Sequence, residues 1–183
     1  MWVCESGDLF IARLLVEKGA NVNAVRTDDG MASLSYASHL GFLDIALLLL
    51  DHGAHVDAPH QHDGSTALIW ASENGHTAIV KLLLDRGASV NSARTDDGVS
   101  SLMMAGGNGH LETVRLLIAR GSNINAASTL NGVTTLMVAS EKGYIDVVRL
   151  LLLHGANRAV VSFNGSTARS IAKTSAIRAL LAT

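Results

Sequence analysis

The sequence predicts an all-α solenoid, a stack of helix-turn-helix units with β-hairpin-like fingers projecting along one edge. Three observations carry that expectation. Gly30, Gly64, Gly98 and Gly132 are spaced by 34 residues, as are Gly41, Gly75, Gly109 and Gly143, and Gly19, Gly53, Gly87, Gly121 and Gly155; Gly165 follows Gly132 after 33. A fixed period of that length marks stacked repeats. Within each period, two short apolar helical patterns alternate with a polar stretch too hydrophilic for a helix. Hydrophobic residues make up 48% of the chain but aromatics only 4%, so the core is built from Leu, Ile, Val and Ala, which suits close stacking of short helices. The unbroken period places residues 1–183 in a single elongated domain.

The chain opens on Trp2-Val3-Cys4-Glu5-Ser6-Gly7, the back half of a first helix with no finger before it. The clearest unit follows later, from Gly64 to Ala88. Thr66 is placed to cap its first helix through the hydroxyl. Leu68, Ala71 and Ser72 share one helical side, and Gly75 supplies the left-handed residue that ends the helix. Ala71 is small because two helices pass closely there; Ala37, Ala105 and Ala139 take the same place in their units. The second helix carries Ile79, Val80, Leu82, Leu83 and Leu84 and is apolar round most of its girth, so it needs neighbours on both sides. Helices of about nine residues fall short of the roughly 12–15 that an isolated helix requires. Ser89 to Gly98 then forms the finger, with Asp97-Gly98 marking its turn and Val90 buried at its base, as Val22, Val56 and Ile124 are in theirs.

The order Gly-x-Thr-Ala-Leu-x-x-Ala-x-x-x-Gly-His-x-x-Ile-Val-x-Leu-Leu-Leu-x-x-Gly-Ala resembles the ankyrin repeat over essentially the whole chain. The resemblance divides it into a partial repeat over 1–25, full repeats over about 27–60, 61–94, 95–128 and 129–161, and a degenerate C-terminal cap over 162–183. The family's Thr-Pro-Leu-His appears as Ala32-Ser33-Leu34-Ser35, Thr66-Ala67-Leu68-Ile69, Ser100-Ser101-Leu102-Met103 and Thr134-Thr135-Leu136-Met137. Loss of the histidine implies that some loop-to-loop hydrogen bonding gives way to apolar packing. Arg158 and Arg169 fall in slots that are apolar in other units, which suits an uncovered final unit.

Composition bounds the function. A net charge of −2 and a pI near 6.4 give no electrostatic footprint for nucleic acid or an anionic membrane. The longest apolar run, Ile45 to Leu50, is far short of the roughly 20 residues of a bilayer span. The single cysteine, Cys4, excludes an internal disulfide framework and reads as a small apolar filler. With no secretory signal evident, the expected location is cytoplasmic or nuclear.

No catalytic motif is present, and no cofactor is expected. Histidines His52, His55, His60 and His62 raise a metal site, with His60 and His62 sharing a face of a finger. The spacing of a structural zinc site is absent, His52 and His154 hold equivalent positions before a glycine, and His76 and His110 belong to the repeat pattern. Asp29 and Asp97, like Asp63, Asn131 and Asn164, fall where turn chemistry wants a side-chain acceptor. Asn164-Gly165-Ser166 matches a glycosylation acceptor but lies at such a turn.

What remains is a surface. The resemblance implies that finger tips and the ends of the first helices line a concave face that takes a protein or peptide. Before the turns lie Asp28, His62, Asp96, Leu130 and Phe163; after them lie Met31, Ser65, Val99 and Val133. The helix ends add His39, Leu40, Glu73, Asn74, Gly107, Asn108, Glu141 and Lys142. The first half of this face is polar and acidic; in the second, Val99, Leu130 and Val133 align as an apolar strip. Tyr36, Trp70, Met104 and Val138 are expected in the core. The expected function is a non-catalytic interaction module, either a monomeric array or part of a larger chain or complex. The alternative is a structural spacer or assembly segment contacting through outer helices or stack ends. In some ankyrin proteins finger asparagines are hydroxylated, and Asn23, Asn91 and Asn125 occupy such positions.

Overall fold

The computed structural model describes residues 7–27 and 29–182. Trp2, Val3, Cys4 and Asp28, on which sequence expectations were placed, lie outside them. Among the described residues, ten helices follow in order: α1 (Leu9–Glu17), α2 (Ser33–Leu40), α3 (Leu43–Asp51), α4 (Ala67–Glu73) and α5 (Thr77–Asp85), then α6 (Ser101–Gly107), α7 (Leu111–Ala119), α8 (Thr135–Lys142), α9 (Ile145–Leu153) and α10 (Ser175–Leu180). Helices α2, α4, α6 and α8 form an inner layer; α3, α5, α7 and α9 form an outer one.

The inner layer packs the more closely of the two. Its contact face is made of small residues: Ala37, Ala71, Ala105 and Ala139 have no exposed surface, and neither do Ser38, Ser72 and Ser140. Small side chains let backbones approach, and the leucines that interleave with them, Leu34, Leu68, Leu102 and Leu136, complete an unbroken core with Val80, Val114 and Val148 from the outer layer. Between inner and outer helix the chain reverses on Gly41, Gly75, Gly109 and Gly143, all at positive φ, where a glycine avoids the clash a β-carbon would cause. Ser100 and Thr134 cap α6 and α8 by accepting from the amides of Met103 and Met137. Thr66 departs from the expected cap. Its hydroxyl is buried without a partner, and the extended backbone at φ −98° and ψ 167° alone starts α4.

Single antiparallel bridges, Val25 to Ala32, Ala93 to Ser100 and Ala127 to Thr134, close the bases of the fingers. The tips turn on side-chain acceptors, as the sequence suggested: Asp29, Asp63, Asp97 and Asn131 each accept from the amide two residues on. Where the histidine is replaced, Ile69, Met103 and Met137 are buried, and backbone bonds tie finger to finger. Thr95 donates its amide to Asp63 O at 2.8 Å, Thr129 to Asp97 O at 2.9 Å, and Phe163 to Asn131 O at 2.9 Å. A second ladder runs at the opposite edge of the stack. Asn91 donates to Gly121 O and accepts from the Asn123 amide, and Asn23 and Asn125 repeat this with Gly53 and His55, and with Gly155 and Asn157.

Candidate functional site: a groove of two unlike halves

Along the face formed by finger tips and inner-helix ends, the first half is filled by its own side chains. Trp70, half-buried on α4, is met edge-on by the His39 ring at 5.3 Å and by the His60 ring at 6.2 Å. His60 Nδ1 lies 2.8 Å from Asp63 Oδ1 and its Nε2 2.7 Å from Asp29 O. Asn74 bridges His39 and the Trp70 carbonyl, and Arg26 lies 5.1 Å above the Tyr36 ring. Leu40 and His62 are exposed, and Glu73 is half-buried with its carbonyl taking bonds from Asn108 and His110. Met31 does not belong to the surface. At 9% exposure it is buried, although its amide makes the same turn bond as those of the half-buried Val99 and Val133. Ser65, at 1%, is buried too.

A Ser-Asp-His grouping arises here but in the wrong order for catalysis. Ser65 Oγ donates to Asp63 Oδ2 at 2.8 Å, the same carboxylate that engages His60, so no imidazole nitrogen faces the hydroxyl. A nucleophile needs its base within reach of its own proton. Burial opposes ionisation of Asp63, yet the Ser65 amide, His60, the Ser65 hydroxyl and the Arg94 guanidinium outweigh it and hold this carboxyl below the usual range. Arg94 in turn spans Asp96, Asp63 and Asp97, and its bond to Asp96 holds both partners in their charged forms. Both ring nitrogens of His60 are thus engaged. Among the described residues no cluster of three or more His, Cys, Asp or Glu gathers as a metal site.

The second half is open. A cleft of about 310 Å³ lies between the fingers at Asp97 and Asn131 and the ends of α6 and α8. Val99, Gly107, Asn108, Leu130, Val133 and Lys142, all placed on this face by the sequence, line it together with Met103, Met104 and Val138. Leu130 is 71% exposed at the rim. Tyr36, Trp70, Met104 and Val138, all expected in the core, are half-buried, and Met104 and Val138 form part of the lining. The four are equivalent positions, and from Trp70 through Met104 to Val138 the groove opens as the residue there shrinks. Glu141 is exposed beside Lys142 but does not line the cleft, and Asp96 stands paired with Arg94. Phe163 is exposed on the next finger and stands over Gly132.

The model of the family described as "Ankyrin repeats (3 copies)" matches residues 1–60, 55–128 and 91–163, together most of the sequence. The chain belongs to the ankyrin-repeat family. Among solved structures, the ankyrin repeat domain of Bcl-3, described as a unique member of the IκB protein family, superposes with a TM-score of 0.85 at 28% identity, covering 98% of this chain and 79% of that one. No curated protein matches the sequence significantly. An ankyrin-repeat array is an interaction scaffold, and protein partners are what such a fold supports. No helix among the described residues is long and apolar enough to cross a membrane.

Proposed function

We propose that this ankyrin array binds a protein or peptide through the second half of its groove, without catalysing a reaction on it. The observation that carries this is the juxtaposition of a 71%-exposed Leu130 with a cleft whose lining includes Val99, Met103, Met104, Val133 and Val138. Aligned apolar side chains in a concavity lose water favourably when a partner covers them, and a few such anchors dominate binding energy. The polar first half, with Asp96, His39, Asn74 and Glu73, then selects among partners and sets register. The whole of 1–183 acts as one array in this reading, in the cytoplasm or nucleus, alone or within a larger chain.

Affinity capture from native extract with the wild type beside Leu130→Glu/Val133→Glu tests it. Leu130 is exposed and Val133 is half-buried against the core, so the melting temperature is measured alongside, and the folded double variant should lose the partner. A partner retained at full strength would move the interface elsewhere. A second reading, contact through outer helices or stack ends, is favoured by Leu153 on α9 and Phe10 on α1, which are 79% and 76% exposed. Capture unaffected by the groove substitutions and abolished by Leu153→Glu or Phe10→Glu would establish that reading instead.

A further inference from the structure

We propose that the space over Gly107 is a notch for one aromatic side chain of a peptide or loop, with an acidic residue beside that side chain held by Lys142. The inference rests on the groove reading above and names the chemistry of the occupant. Residues 39, 73, 107 and 141 are equivalent in the stack. At the first of these the His39 ring packs edge-on against Trp70 at 5.3 Å. At the third there is no side chain, and Val138 stands where Trp70 stood two units earlier. A β-carbon at Gly107 would lie 3.0 Å from Val138 Cγ1, so bare backbone and a valine methyl form the notch wall. The place that an aromatic pair fills from within at one end of the groove holds only a valine methyl against bare backbone at the other, and the cleft opens beside it.

The lining specifies what fits. Met104, with the buried Met103 beneath it, presents a flexible, polarizable thioether, which adapts to an inserted ring and interacts favourably with its edge. A cleft of about 310 Å³ sits at the lower end of the roughly 300–1,000 Å³ range of small-ligand sites, enough for a bulky side chain and its neighbours. Charge decides the flanking residue. Asp97 is already committed, its Oδ1 accepting from the Val99 amide at 2.9 Å and lying 3.5 Å from Arg94 Nε. Lys142, exposed on the α8 side of the cleft, forms no ion pair among the described residues. The uncompensated charge at the cleft is therefore positive, and a carboxylate beside the anchor meets it.

The test uses a random linear peptide library selected on the full chain, with binders measured against four variants. Gly107→Glu brings in the residue found at the equivalent Glu73 and Glu141; its β-carbon lies 3.0 Å from Val138 Cγ1 and must push that methyl aside, so its melting temperature is compared with the wild type's. Met104→Trp fills the notch from the other wall with the residue of Trp70 and adds no charge. Selected peptides should pair an aromatic with Asp or Glu. They should lose about tenfold or more in affinity on either filling variant, and several-fold with a shallower salt dependence on Lys142→Ala. Binders lost on Leu130→Glu/Val133→Glu but indifferent to both filling variants would overturn the notch and leave the groove reading standing. Binders indifferent to all four, or a library yielding none, would overturn both. Aromatic peptides without acidic residues, insensitive to Lys142→Ala, would overturn the pairing with Lys142.

Discussion

Gly106 on α6 faces the methyl group of Thr135 on α8 so closely that a β-carbon at 106 would overlap Thr135 Cγ2. The equivalent residues Ser38, Ser72 and Ser140 all carry a side chain and are all fully buried. What differs is the neighbour: Thr135 follows Ala67 and Ser101 at its position in the stack, and its extra methyl takes the room that serine has elsewhere. Gly106→Ser should therefore destabilise by about 1–3 kcal/mol, the usual cost of overpacking a tight core. Adding Thr135→Ser restores the pairing of Ser72 with Ser101 and should recover most of the loss. Urea denaturation of the two single variants and the double measures this coupling, and additive losses would disprove the shared space.

The edge ladder makes a second prediction, at Asp57. Asn23, Asn91 and Asn125 each donate to one backbone group of the next unit and accept from another. Asp57, at the equivalent place, only accepts, from the Ser89 amide at 3.1–3.2 Å. Asp57→Asn supplies the missing donor toward the Gly87 carbonyl and should stabilise by about 0.5–1.5 kcal/mol. Asn91→Ala should cost about 0.5–1.5 kcal/mol, since both exposed backbone partners exchange its bonds for bonds to water. Thermal melts of the two variants should move in opposite directions.

Asp63 gives the array a defined acid sensitivity. Its carboxyl is held below the usual range in the folded protein, so the unfolded chain takes up the proton first as pH falls. The stabilisation is complete well above the ordinary carboxylate pKa of about 3.9 and is lost as pH drops through it toward the lower folded value. Asp63→Asn removes that titration. The stability gap between wild type and Asp63→Asn should be widest near neutrality and shrink below about pH 4. A gap independent of pH would contradict the role given to His60, Ser65 and Arg94.

The stack was legible because its signals are local and repeated. Gly75 and its equivalents fix the reversals, Ala71 and its equivalents fix the close passage, and the period fixes which neighbours meet. Val99, Leu130 and Val133 were legible as a strip for the same reason, since register alone aligns them. Met31 follows a turn just as Val99 does, with the same hydrogen bond, so the turn pattern that places Val99 on the surface does not register the deeper burial of Met31. Met104 and Val138 read as core because their helical side is apolar. At Val138 the lining is left open by Gly107, which lacks the side chain that His39 sets against Trp70, and no single-unit pattern contains that information. The ties between fingers escaped because they run between backbone groups, which no residue identity advertises.

The central claim, that the open half of the groove is the contact surface, is tested most directly by site-specific photo-crosslinking. A photoreactive phenylalanine analogue placed at Leu130 samples the cleft rim, and the same group at Leu153 samples the outer face of α9. Irradiation in native extract should link a discrete partner from position 130 and none from position 153. A discrete partner linked from 153 and none from 130 would contradict the account and assign the interface to the outer helices.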